Sequence, residues 1–130
     1  FFCLKYEIPA ILGSGGGAIV NMSSGNGIVG LAGLGPYTAA KHGIIGLTRS
    51  SALEFADKGV RINAVGPGYV DTPRMHEAPK EMLSQFAAAH PMGRLAQRKE
   101  VAFLVAFLLS EQSSFSTGGF YPVDGGYTAQ

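Results

Sequence analysis

The chain has little of what marks several large protein classes. It has one cysteine in 130 residues, which excludes an intrachain disulfide framework. Ten basic residues against nine acidic ones leave a net charge of +1. The basic residues are scattered, so there is no electrostatic footprint for nucleic acid. The longest apolar run, Val101 to Leu109, has nine residues, too few to span a bilayer as a helix. Phe1 to Leu12 is apolar enough to suggest a signal sequence, but Glu7 and Pro9 interrupt it and no basic stretch precedes it. There is no repeat and no low-complexity tail. The histidines His42, His76 and His90 have no zinc spacing and no cysteine cluster beside them, so no metal site is expected. Cys3 is expected to pack as a small apolar residue. The expectation is a soluble, cytoplasmic protein with no nucleic-acid partner and no membrane partner.

What is present alternates between strand and helix patterns. Phe1 to Leu12 reads as the end of a helix stopped by Gly13. Ala18 to Met22 is a short β-branched run after Gly15-Gly16-Gly17, and reads as a buried strand. Pro36 to Ala56 reads as a long helix. Its Gly43, Gly46, Ala39, Ala40 and Ala52 permit close approach by another backbone, as in packing on a sheet. Val60 to Val65 is the next strand, and 66–78 a loop. Pro79 to Ala89 reads as a helix with proline in its first turn. Arg98 to Ser110 is apolar on most sides, so more than one neighbour should bury it. Phe120 to Val123 is the last strand. Such alternation implies a parallel sheet with right-handed crossovers.

Two polar features sit at informative places. Ser23 and Ser24 fall at the C-terminal end of the first strand, the end at which open parallel α/β sheets bind ligands. Alternation along the strand gives the two serines opposite faces, and Ser24 is the candidate. Tyr37 and Lys41 stand four apart in Tyr37-Thr38-Ala39-Ala40-Lys41, so they share one helix face. A phenol beside a fixed ammonium is a usable acid and base nearer neutral pH, because the charge favours the phenolate.

Asn21-Met22-Ser23-Ser24, Tyr37-x-x-x-Lys41, Arg61-Ile62-Asn63-Ala64-Val65, Pro67-Gly68 with Thr72, and Pro122-Val123-Asp124-Gly125-Gly126 stand in the order and at the spacing of one family. Over nearly its whole length the chain resembles the short-chain dehydrogenase/reductase family. The resemblance implies an α/β fold: the C-terminal part of a doubly wound Rossmann-like parallel sheet, with three strands and helices on both faces. The family's opening Thr-Gly-x-x-x-Gly-x-Gly turn, which binds the dinucleotide, has no counterpart here. The run Gly13-Ser14-Gly15-Gly16-Gly17 precedes a strand and does not link strand to helix. Residues 1–130 are therefore expected to form part of one oxidoreductase domain, its catalytic and substrate-binding half, and to be inactive alone.

By the same resemblance, catalysis moves a hydride between a nicotinamide cofactor, NAD or NADP, and a small alcohol or ketone of apolar character. Tyr37 would give or take the proton. Lys41 would support it and bond the nicotinamide ribose. Ser24 would polarise the substrate oxygen. Pro67, Gly68, the Val70 main chain and the Thr72 side chain would hold the nicotinamide carboxamide. Arg74 to Met92 would form a substrate lid, with Met75, Met82, Phe86 and Met92 as its apolar groups. Asn63 and Asp124 would be structural, the latter capping the last turn. A homo-oligomer, dimer or tetramer, is implied. Two other readings stay open: a non-catalytic oligomerisation fragment, and an acyl hydrolase using Thr38 and Lys41 as a Ser/Thr-x-x-Lys pair.

Overall fold

Val60, Ile62, Ala64 and Val65 are apolar, mostly β-branched, and fully buried. Such a run suits a strand covered on both faces. In the computed structural model, which describes residues 1–130, this strand, β2 (Val60–Pro67), lies between β1 (Gly17–Met22) and β5 (Phe120–Val123). Both pairings are parallel, with Ile19 opposite Ile62 and Val65 opposite Tyr121. Helix α1 (Phe2–Gly13) leads into β1, α2 (Gly35–Phe55) crosses from β1 to β2, and α4 (Arg98–Leu109) precedes β5.

The helices cover both faces. Leu4 and Ile8 of α1 and Ala52 of α2 pack on Ile19, Val60 and Ile62. On the other face Val101 and Leu108 of α4 pack on Val65, with Val20 and Tyr121 beside them. The three-stranded parallel sheet expected from the sequence is therefore present, with helix bounds within a residue or so of the expected ones. Segment 66–78 holds more than a loop. Val70–Asp71 (β3) pairs in parallel with Ala96–Gln97 (β4). Between them lie a 3₁₀ turn at Pro73–Glu77 and α3 (Lys80–Ala88). Two-residue strands are too short to show alternation, so no sequence pattern marks them.

Polar side chains tie β2 to its surroundings. The fully buried Asn63 donates to the Ser116 carbonyl (2.8 Å) and accepts from the Gly119 amide (3.0 Å). That is the structural role expected of it. The Arg61 guanidinium donates to the Leu108 and Ser110 carbonyls (2.9 and 3.0 Å) and to Ser113 Oγ (2.9 Å). It thereby satisfies carbonyls that the end of α4 leaves without partners.

Two expectations fail. Helix α4 is not buried all round: Phe103 is 69% exposed, and Phe107 and Leu109 are also open to solvent. One sheet face takes one stripe of the helix, and nothing in this chain covers the other. Cys3 is exposed, because α1 turns Leu4 and Ile8 to the sheet instead. Of the small α2 residues singled out in the sequence, only Ala52 is buried in the core, beside Ile45, Thr48 and Ser51 of the same helix. Ala39 and Ala40 are exposed, and a side chain at Gly43 or Gly46 would meet nothing.

At the N-terminus of α4, Glu100 accepts from the Gln97 amide (2.7 Å) and from both Arg94 nitrogens (2.8 and 2.7 Å). The Arg94 hydrogen bonds first, then the Gln97 amide, hold its carboxyl down from 4.5 to about 2. The carboxylate form is thus favoured by folding, so its contribution is complete above the unfolded value. It is lost only as the pH falls from there through about 2. A carbon-13 NMR titration should place the Glu100 midpoint near 2; an ordinary carboxylate midpoint would mean that the ion pair does not form in solution.

Strand β1 is an edge. The Gly17 and Ser23 amides donate across to Gly59 and Val65, so by alternation those of Ala18, Val20 and Met22 face the open side. An uncovered apolar edge is a template for pairing. Expressed by itself, residues 1–130 should self-associate in light scattering; a stable monomer at high concentration would contradict this.

Candidate active site

The carboxyl ends of β1 and β2 lie side by side because the two strands are parallel and in register through Met22 and Val65. The segments that leave the strands therefore meet at one place. After β1 the chain turns through a 3₁₀ segment, Gly25–Gly27, capped by Ser24: its Oγ accepts from the Asn26 amide (3.2 Å). After β2 come Pro67, Gly68 and Tyr69. After β5 comes Asp124, whose carboxylate accepts from the amides of Gly126 and Thr128 (3.0 Å each) and from the Thr128 hydroxyl (2.5 Å). Asp124 thus caps the last turn, as expected, and that turn brings Tyr127 back over the strand ends.

These segments enclose a cavity of about 230 Å³ lined by Ser24, Gly25, Asn26, Leu31, Leu34, Tyr37, Pro67, Gly68, Tyr69 and Tyr127. Tyr37 enters from the first turns of α2 and is 44% exposed, so its phenol is open to whatever the cavity holds. One helical turn on, Lys41 Nζ lies 5.5 Å from the Tyr37 ring centroid and donates to the Met22 carbonyl (3.0 Å). The neighbouring serines diverge. Ser24 lines the cavity, while Ser23 is buried and its Oγ donates to the Lys41 carbonyl (2.9 Å). Ser23 thereby fastens the end of β1 to α2. A Cβ at Gly27 would strike Ser23 and Ile45, so that turn closes against α2 only with glycine.

Four sequence-identified residues, Ser24, Tyr37, Pro67 and Gly68, share the cavity wall. Lys41 stands behind Tyr37. Val70 and Thr72 lie outside the lining. The Val70 side chain packs against the α4 core. Ala96 donates to the Tyr69 carbonyl (2.9 Å), one residue before its register partner Val70. The Val70 amide and carbonyl therefore point away from β4. The Thr72 side chain caps nothing.

The lid expectation needs correction. None of Met75, Met82, Phe86 and Met92 lines the cavity, and Met92 is 63% exposed. Phe86 acts one layer back, stacked on Tyr69 at 4.2 Å and 14°. The apolar wall comes instead from Leu31, Leu34, Tyr69 and Tyr127, which no motif or spacing in the sequence singles out. Tyr69 follows Pro67-Gly68 directly, and Tyr127 follows the Gly125-Gly126 turn, so adjacency to a strand-end glycine was the available signal. Burial first, then the nearby Tyr127 and Tyr37 phenols, push the Tyr69 phenol up from its ordinary value. It stays a neutral hydrogen-bond donor at physiological pH. The acyl-hydrolase reading loses its nucleophile. Thr38 Oγ1 is buried, has no partner and does not line the cavity. No group of three or more His, Cys, Asp or Glu side chains could hold a metal ion, and no helix is long and apolar enough to cross a membrane.

A parallel sheet covered on both faces, with a serine, a tyrosine and a lysine gathered at its carboxyl edge, defines the Rossmann-like α/β class. Residues 1–128 match a family model described as enoyl-(acyl carrier protein) reductase, and the chain belongs to the short-chain dehydrogenase/reductase family. It is 52% identical over 130 residues to cyclohexanol dehydrogenase of Acinetobacter sp. (strain SE19), a match that covers 100% of this chain and 51% of that protein. It is 48% identical over 127 residues to cis-4-hydroxycyclohexanecarboxylate dehydrogenase of Sinomonas cyclohexanicum, covering 98% of this chain and 51% of that one. Among solved structures it superposes on ElxO with NADP bound at a TM-score of 0.93, with 39% identity, over 99% of this chain and 53% of the other. The chain thus spans about half the length of the curated relatives it matches.

Proposed function

We propose that this chain is the catalytic and substrate-binding half of an NAD(P)-dependent dehydrogenase acting on a small cyclic alcohol or its ketone. The observation that carries the reading is one cavity in which Ser24 and the exposed Tyr37 phenol meet, with Lys41 Nζ 5.5 Å from the Tyr37 ring. The cyclic alcohols in the names of the similar proteins support the substrate class, and ElxO with NADP bound supports the cofactor class. A wall of leucine and tyrosine side chains suits a ring with one polar substituent.

The donor set fits a nicotinamide cofactor. Lys41 Nζ has one protein partner, Met22, so two of its three donors are available to ribose hydroxyls. The Val70 main chain and Thr72 hydroxyl are available to the carboxamide. When bound, the nicotinamide supplies or accepts the hydride. The chain's own residues do the rest. Tyr37 Oη takes the alcohol proton, or gives it to the carbonyl oxygen. Ser24 Oγ donates to that oxygen and holds it in place. Lys41 keeps a positive charge beside the phenol. Leu31, Leu34 and Tyr127 exclude water from the ring.

The exposed small residues on the outer face of α2, Ala39, Ala40, Gly43 and Gly46, suit a second backbone at close range, and we assign that face to a homo-oligomer. A cytoplasmic location accords with this chemistry.

In the full-length protein, Tyr37→Phe should lower kcat by about 10² or more, the usual share of general acid–base catalysis, while cofactor titration changes little. Near-normal turnover of a cyclic alcohol, followed at the reduced-nicotinamide absorbance, would remove Tyr37 from its role.

Ser24→Ala should reduce kcat more than Ser23→Ala, whereas Ser23→Ala should lower the thermal midpoint more, because its hydroxyl is spent inside the fold. Steady-state kinetics and a melting curve on both variants decide this, and a reversed order in kcat would exchange the two roles.

A further inference from the structure

His90 is the one buried histidine, 3% exposed, and the chemistry above makes no use of it. It lies two residues beyond α3. Both ring nitrogens are engaged: Nε2 is 3.1 Å from the Tyr69 amide, and Nδ1 is 2.8 Å from the Phe86 carbonyl. The amide can only donate and the carbonyl can only accept. One neutral tautomer satisfies both, with the proton on Nδ1 and Nε2 bare. The ring fills the space a Cβ at Gly68 would need. It also meets the Tyr69 ring edge-on at 5.6 Å and lies 5.8 Å from the Tyr127 ring. The turn after β2 and two aromatic walls of the cavity are therefore seated on one imidazole.

We propose that His90 is a positioning residue for substrate binding: through its bare Nε2 it holds the Tyr69 amide, and with it the Tyr69 ring, in the wall of the cavity. The kinetic part of this inference rests on the dehydrogenase reading; the tautomer does not.

Two substitutions in the full-length protein separate the roles of the nitrogens. Glutamine carries an amide oxygen at about the reach of Nε2 and keeps an acceptor for Tyr69. Asparagine carries its amide at about the reach of Nδ1, so it keeps a donor for Phe86 and loses that acceptor. His90→Asn should raise KM for cyclohexanol about tenfold, the order of loss for one unsatisfied buried donor, with kcat held within about threefold. His90→Gln should restore KM to within about threefold of the parent. Nitrogen-15 NMR of the unsubstituted protein, labelled at histidine, should show a neutral ring protonated at Nδ1. The inference is overturned by a proton on Nε2, by equal effects of the two substitutions, or by a loss that falls on kcat alone. If His90→Asn does not fold, a KM rise of about tenfold or more in His90→Gln still overturns it. If the unsubstituted protein oxidises no cyclic alcohol, the dehydrogenase reading falls, while the NMR result still decides the hydrogen-bond arrangement on which the inference stands.

Discussion

Strand β2 has no free side. It is hydrogen-bonded in parallel on both edges, and apolar side chains cover it on both faces, α1 and α2 on one and α4 on the other. A shift of one residue would exchange Ile62 with Asn63 or Arg61 and drive polar groups into an apolar layer, so the register is fixed. Because the register is fixed, the residues that leave β2, Pro67-Gly68-Tyr69, emerge at one height relative to those that leave β1 and β5. The cavity exists because three parallel strands end together there.

The site divides the work between two kinds of neighbour. Polar groups come from the local sequence after β1 and from one face of α2: Ser24 from a capped turn, Tyr37 and Lys41 from consecutive turns of one helix. Leu31 and Leu34 come from the same segment, but the aromatic groups come from afar. Tyr69, Phe86, His90 and Tyr127 pack ring on ring, and Asp124 anchors the last of these by three hydrogen bonds to its own turn. Reactive groups are thus placed by backbone geometry, whereas the aromatic part of the wall is placed by ring contacts.

That division also explains what could be read from the sequence. The strands at 17–22, 60–67 and 120–123 carry local apolar patterns, and so do α2 and α4. Ser24, Tyr37 and Lys41 are tied to those elements by short, regular spacings. The aromatic wall has no period: the Tyr69–His90 hydrogen bond spans 21 residues, and nothing between them announces it. Methionines between Arg74 and Met92 look suited to a substrate and instead face solvent or lie outside the cavity, because α3 turns Phe86 to Tyr69. Cys3 and the outer face of α4 mislead for a related reason. An apolar residue on a helix is buried only if a partner lies on its side, and a periodic pattern does not say how many partners there are.

The grip of Arg61 on the end of α4 has a further consequence. The last turn of a helix ordinarily frays, and its amides exchange with solvent through small local openings. Here the carbonyls of Leu108 and Ser110 are bonded to a guanidinium rooted in the central strand. Freeing that turn therefore also breaks hydrogen bonds to a residue of the most buried strand of the sheet. The C-terminal turn of α4 and the start of β2, distant in sequence, are thereby coupled, and the helix end leans toward the clock of the core.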